Sequence, residues 1–263
     1  MKDLVETELL RARWRRTLER HRLDRTDRED FAEGGLASRL QSVTTQLLLL
    51  PADPELDVIA FDPALSAWLE KRRSLPLDTG EVTIGLNIRR TAHAIALVDG
   101  YAGDTWASYL AVHRSGTMEY GLGERGGWIG ADRQGTPTRV FALTATVARV
   151  WALLRVASRL EECFRLTGPY QLTVALRNTG GAVLAALGEG WAEPGDFGNR
   201  VRPCQDDNLL WHLQVEALPD EDGRRILAYA VGERIEDAWG VAERRYLANR
   251  GVYKGLLDPR KFL

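Results

Sequence analysis

The chain has little cysteine: two residues, Cys163 and Cys204, occur among 263, and they form no C-x-x-C pair. A zinc site made from cysteines alone is therefore excluded, and the sequence does not predict a disulfide framework. We expect two reduced thiols, with Cys163 in the core of a helix.

Long apolar runs are also lacking, since no run approaches the ~20 residues that a membrane-spanning helix needs. The N-terminus is charged from Lys2 onward and carries no signal-peptide core. These absences predict a cytoplasmic protein that does not enter a membrane.

Charge of one sign is not in excess, because 35 basic and 37 acidic residues give a formal net charge of -2. A wholly basic nucleic-acid binder is not indicated, although a local basic patch is compatible with this balance. Hydrophobic content of 44% and charged content of 27% are typical of a globular domain.

Hairpin and helix patterns alternate along the chain, which predicts an α+β fold: antiparallel β-hairpins forming a sheet packed by two long helices. The boundary is placed near Pro76 to Gly80, giving an N-terminal helical, arginine-rich region (1–78) and an α+β domain (79–263). The expected helices are Met1 to about Asp30, a helical or mixed segment Leu36 to Leu50, about Thr138 to Thr167, and Arg224 to about Asn249. The expected strands include Leu56 to Phe61, Trp106 to His113, Thr117 to Tyr120, Gln171 to Leu176, Ala182 to Leu187 and Leu209 to Leu218, with Arg72 to Gly80 as a linker.

Complete catalytic motifs are lacking as well. The run GLGERG (Gly121 to Gly126) matches G-x-G-x-x-G but is separated from the next predicted helix, so it indicates a surface loop rather than a nucleotide site. No P-loop, G-x-S-x-G or H-E-x-x-H spacing occurs, and we predict no catalytic residue, no metal and no cofactor. An alternative hypothesis is a cryptic enzyme whose site is assembled in space from His113, Glu119, Glu189 and Asp206.

The most suggestive feature is an arginine-rich stretch in the first predicted helix. Its candidate binding residues are Arg11, Arg13, Arg15, Arg16, Arg20 and Arg22. Three interpretations stay open: a solvated helix with local ion pairs, a helix that binds a protein partner, and a nucleic-acid element that contacts phosphates.

Two of the eight tryptophans, Trp128 and Trp191, lie in predicted loops beside glycines. An exposed loop tryptophan marks an interface, because a large apolar ring gains most from being covered. We therefore add both residues to the candidate partner-binding set, while packing over the sheet is the commoner outcome for such residues.

Four segments carry a family resemblance: AALGEGWAEP (185–194), DDNLLWHLQVEALPD (206–220), VGERIEDAWGVAERRYL (231–247) and LLDPRKF (256–262). In their order they resemble the C-terminal region of bacterial Schlafen-type proteins, the AlbA-type or helix-turn-helix ATP-binding proteins. The AlbA-type module itself is not discernible, and the arginine-rich region stands in its place. The resemblance implies an accessory subunit of a nucleic-acid-directed or defence assembly. The missing catalytic motifs and the charged N-terminal helix predict a noncatalytic interaction subunit that holds a protein partner such as an ATPase or a nuclease. The alternative is a nucleic-acid binding module that uses the arginine-rich helix.

Overall fold

The computed structural model describes residues 2–20, 43–71, 74–77, 80–83, 87–100, 106–123, 129–131, 137–164, 166–185, 203–218 and 220–241. The helices in these ranges are α1 (Lys2–Arg20), α2 (Pro63–Glu70), α3 (Leu143–Phe164) and α4 (Glu221–Ala238). The strands are β1 (Val43–Leu50), β2 (Ser74–Leu77), β3 (Gly80–Thr83), β4 (Asn87–Arg90), β5 (Ala94–Gly100), β6 (Trp106–His113), β7 (Met118–Gly123), β8 (Ile129–Ala131), β9 (Pro137–Ala142), β10 (Tyr170–Arg177), β11 (Val183–Ala185) and β12 (Asn208–Val215).

A seven-stranded sheet in the order β12-β10-β1-β7-β6-β5-β4 dominates the fold. Each neighbouring pair in it is antiparallel. With helices on its faces, this sheet confirms the predicted α+β class.

Strand β1 occupies the centre of the sheet, between β10 and β7. The prediction of a helical or mixed segment over Leu36 to Leu50 is therefore wrong for the described residues Val43–Leu50. The reason is burial on both sides: Leu47 and Leu49 point to one face and Leu48 and Leu50 to the other, all almost fully buried. In the sequence such a strand is a continuous apolar run, and the spacing of apolar residues cannot distinguish that run from a buried helix.

The central position of β1 also bears on the expected division at residues 78 and 79. This strand belongs by sequence to the N-terminal region, yet both of its neighbours belong to the region after residue 79. The division therefore does not coincide with a gap between two cores in the described part of the chain.

The two faces of the sheet are covered by different helices. On the first face, one large core joins sheet residues such as Leu47 and Leu172 to Leu65 of α2, Trp151 of α3 and Ile235 of α4. On the second face, a smaller core joins α1 to the sheet through Trp14, Leu18, Leu48, Leu50 and Ala175. Helix α1 is thus packed onto the sheet from the side opposite α3 and α4.

The strands predicted over Trp106 to His113 and Thr117 to Tyr120 are confirmed as β6 and β7, which pair in antiparallel register as a hairpin. Gly116 has φ of +81° there, a conformation that favours glycine. A Cβ atom at this position would also lie 2.7 Å from a methyl group of Leu166, so a larger residue would require the Leu166 side chain to shift.

Several other local predictions are wrong in position or type. Leu56 to Phe61 is not a strand, because the amides of Val58 and Ile59 both donate to the Arg114 carbonyl at 2.8 Å instead of entering a ladder. The expected linker contains β2, which pairs with β3, a strand that begins at the last linker residue, Gly80. Residues Pro137–Ala142 form β9 before α3 begins at Leu143, and Cys163 on α3 is exposed rather than in a core.

The strands predicted over Gln171 to Leu176 and Ala182 to Leu187 follow each other in sequence, but in the described residues they do not pair with each other. Strand β11 pairs in parallel with β9, and the place beside β10 is taken by β12. Asn178 and Gly181 both adopt positive φ, of 57° and 73°, so the chain turns out of the sheet at this point.

Candidate functional site

The described histidines are His93, His113 and His212, while His21 lies outside the described residues. His212 contacts the Thr173 hydroxyl through Nδ1 at 3.0 Å. His113 contacts a carboxylate, since its Nε2 lies 3.1 Å from Oε2 of Glu119. The His113–Glu119 contact places an imidazole beside a buried carboxylate, so the surroundings of Glu119 are the first candidate site.

Four polar side chains meet at Glu119 on the second face of the sheet, and we call them the Glu119 cluster: Gln46, Tyr109, His113 and Glu119. Gln46 Nε2 donates to Glu119 Oε1 at 2.8 Å, and the Tyr109 hydroxyl donates to the same oxygen. One carboxylate therefore gathers side chains from three strands, β1, β6 and β7.

The strand register explains how these side chains reach one another. Glu119 lies opposite Ala111 on β6, with Tyr109 and His113 two positions to either side. Gly121 lies opposite both Tyr109 on β6 and Gln46 on β1. Because alanine and glycine occupy the directly opposed positions, the longer diagonal side chains can converge on the carboxylate.

The Glu119 cluster is deeply buried. Tyr109 is fully buried, Gln46 is 1% exposed and Glu119 is 2% exposed. Burial raises the pKa of Tyr109 well above its usual value, and the charge of Glu119 and the hydrogen bond to it raise that pKa further. The phenol is therefore held in its protonated form as a donor to Glu119.

This raised pKa predicts a loss of stability in alkali. Because the folded state holds the Tyr109 proton and the unfolded chain releases it above about pH 10, the free energy of unfolding falls as pH rises beyond that point. In Tyr109→Phe we expect the fall to be shallower by about 1.4 kcal/mol per pH unit, the slope for one proton. Urea unfolding at a series of pH values measures this slope, and equal slopes in the two proteins would refute the assignment.

The Oε1 atom of Gln46 is buried and accepts no hydrogen bond from the part of the chain that the structure describes. The glutamine nitrogen is directed to Glu119, so its oxygen must point elsewhere. Sequence reasoning missed both Gln46 and Tyr109 as members of the cluster. No local pattern marked them, because Leu48 and Leu50 follow Gln46 on the same face of β1 and Ala111 lies between Tyr109 and His113 on β6.

Chemically, the His113–Glu119 pair can orient an imidazole and fix which ring nitrogen carries the proton. The four-residue site of the cryptic-enzyme hypothesis is not assembled, however. Asp206 precedes β12, which is four strand spacings of about 4.8 Å from β6. Glu189 lies outside the described residues. The structure therefore brings together His113 and Glu119 but leaves Asp206 far from both.

The arginines of α1 form the second candidate site. Arg11 pairs with Glu8 at 2.9 Å, and two others reach across to the segment after β1: Arg13 to Asp53 at 3.3 Å and Arg16 to Glu55 at 3.5 Å. Arg15 is exposed and makes no ion pair with a described residue. The side chain of Arg20 and the whole of Arg22 lie outside the described structure.

These ion pairs lie beside exposed apolar side chains. Leu9 is 56% exposed and lies one and two helical turns before Arg13 and Arg16, on the same side of α1. Leu56, which is 57% exposed, directly follows Glu55. We call this mixed surface the α1 surface; its members are Leu9, Arg13, Arg16, Asp53, Glu55 and Leu56.

Trp14 fixes the geometry of the α1 surface from beneath. Its indole nitrogen donates to the Pro51 carbonyl at 2.8 Å, and its ring is 1% exposed. The tryptophan thereby holds α1 against the segment that carries Asp53, Glu55 and Leu56. The predicted loop residues Trp128 and Trp191 lie outside the described residues.

In the described ranges, no three histidine, cysteine or acidic residues lie close enough together to hold a metal ion. None of the four helices given above is long and apolar enough to cross a bilayer.

Comparisons with known proteins leave the family open. Neither protein-family models, nor curated proteins, nor solved structures give a match to this chain.

Proposed function

We propose that this protein is a noncatalytic interaction or assembly subunit that binds a protein partner through the α1 surface. The observation that carries the proposal is the composition of that surface: exposed leucines flanked by arginine–carboxylate pairs. Arginine is enriched at protein interfaces, and covering an exposed leucine removes apolar surface from water, which favours association.

The ion pairs of the α1 surface are suited to such binding. The side chains of Arg13 and Asp53 are 42% and 45% exposed, and that of Arg16 is 61% exposed. Exposed pairs of this kind contribute only about 0–1 kcal/mol to folding. A partner with its own charged groups can therefore exchange with them at small cost to the fold.

The same pairs weigh against the alternative, a nucleic-acid module that uses the arginine-rich helix. Affinity for phosphates comes from cations that neutralise backbone charge. Arg11, Arg13 and Arg16 each already lie beside a carboxylate of this chain, which weakens their field. A protein partner that carries both signs of charge therefore complements the α1 surface better than a nucleic acid does.

The identity of the partner is part of the proposal and rests on the missing catalytic motifs and the charged helix, together with the family resemblance. A Schlafen-type accessory chain is expected to work within a nucleic-acid-directed or antiviral defence complex. The expected partner is then the component that carries the chemistry, an ATPase or a nuclease.

Affinity purification from the source cell tests this function. We expect the double substitution of Leu9→Ser and Leu56→Ser to reduce recovery of the partner by about tenfold, the effect of losing about 1.4 kcal/mol of binding energy. Both side chains are largely exposed, so the fold is retained.

The matched control is Ile226→Ser on α4, which removes a leucine-sized side chain that is 52% exposed. This control should recover the partner as the unmodified protein does. Equal recovery with all three proteins would contradict the proposal. So would retention of nucleic acid alone, with an affinity that falls steeply as salt rises.

A further inference from the structure

Strand β12 forms one edge of the seven-stranded sheet. It pairs with β10 over eight consecutive positions without a register shift, from Tyr170 opposite Val215 to Arg177 opposite Asn208. Among the residues that the structure describes, β12 has no neighbour on its other side. An edge of this kind presents backbone donors and acceptors to any strand of suitable shape.

The residues of β12 lack the usual safeguards of an edge. Its sequence, NLLWHLQV, contains no lysine, arginine, proline or acidic residue, and burial lowers the pKa of its one titratable side chain, His212, which favours the neutral imidazole. The opposite edge is different: β4 is four residues long and ends in Arg89 and Arg90, both exposed. Short length and charge discourage pairing between edges, so β4 is protected in a way that β12 is not.

We infer that β12 pairs in antiparallel fashion with β12 of a second copy of this chain, joining two sheets into one of fourteen strands across a twofold axis at His212. This contact lies on a different element from the α1 surface and does not depend on the proposed function.

Charge and polarity favour a second copy in this register. A twofold axis at His212 places Leu210 opposite Gln214, Trp211 opposite Leu213 and Leu209 opposite Val215. Asn208 then lies opposite Glu216, so no two acidic residues oppose each other. A shift of the axis to Trp211 would place Asp206 opposite Glu216, and like charges in that position are destabilising.

The apolar side chains would also form a continuous row. Leu209, Trp211, Leu213 and Val215 belong to the first face, where they pack against the main core. Pairing about His212 places the four residues of one copy beside the same four of the other. The first-face core would then extend without interruption from one sheet into the next.

Sedimentation equilibrium on the full chain tests the inference. We expect a dimer whose dissociation constant increases at least about fivefold in His212→Asp, because two carboxylates would oppose each other at the axis. His212→Lys should weaken the dimer similarly. An equal mixture of the two variants should recover dimer formation, since aspartate then faces lysine.

The matched control is Gln171→Asp, which places the same charge on the same face one strand inward, opposite Gln214. This variant should dimerise as the unmodified protein does. A monomer at every soluble concentration would overturn the inference. A dimer that is insensitive to both His212 variants, or a β12 edge covered by a different protein, would overturn it equally.

Discussion

Trp14→Ala is expected to lower the free energy of unfolding by about 3–5 kcal/mol, the usual effect of truncating a buried tryptophan. The ring is 1% exposed and packs with Leu18, Leu48 and Leu50, so its removal leaves a cavity between α1 and the sheet. The substitution also deletes the donor to the Pro51 carbonyl. Urea unfolding followed by circular dichroism measures the loss.

Arg15→Ala is the matched control for Trp14→Ala, because it changes the next residue of the same helix at an exposed position. We expect a change within about 0.5 kcal/mol for this surface substitution. If α1 were a separate module, Trp14→Ala would melt the helix in an early transition and leave the sheet unaffected. A single transition shifted as a whole supports the packing described for α1.

Glu119→Ala should cost a similar amount, about 3–5 kcal/mol, because removing one partner of a buried polar group leaves the others unsatisfied. The Tyr109 hydroxyl and the Gln46 amide both donate to Glu119 and are themselves almost fully buried. His113 would also lose its carboxylate. Chemical denaturation at neutral pH measures the difference in the free energy of unfolding between Glu119→Ala and the unmodified protein.

Two further variants test whether the effect of Glu119→Ala comes from the loss of a buried hydrogen-bond acceptor. Glu162→Ala removes a carboxylate that is 58% exposed and pairs only locally with Arg159, so its effect should stay within about 0.5 kcal/mol. Glu119→Gln retains one acceptor oxygen and should lose less stability than Glu119→Ala. If Glu119→Ala were as stable as the unmodified protein, the Glu119 cluster would not stabilise the sheet. A reactive role for His113 and Glu119 would then be favoured over a structural one.

The sequence predicted the fold class well where local patterns are unambiguous. The β6–β7 hairpin has a short turn with a glycine that adopts positive φ between two strand-like runs, and both strands were predicted correctly. Strand β1 was misassigned because it is buried on both faces, so Leu47 to Leu50 show no alternation. Its central place in the sheet depends on pairings with β7 and β10, which are distant in sequence.

The candidate sites could be predicted only in part. The arginines of α1 are visible as a pattern, but their partners Asp53 and Glu55 lie about forty residues away, and no local rule links them. The His113–Glu119 contact was anticipated as part of a larger set. Gln46 and Tyr109 joined it through register, because small residues at positions 111 and 121 let diagonal side chains meet.

Photo-crosslinking in the source cell tests the proposed binding through the α1 surface most directly. A photoreactive amino acid replaces Leu9 in one protein and, as the control, Ile226 in another, since both side chains are about equally exposed at 56% and 52%. We predict one protein adduct of defined mass from position 9 and none from position 226. Equal adducts from both positions, or adducts with nucleic acid alone at position 9, would contradict the account.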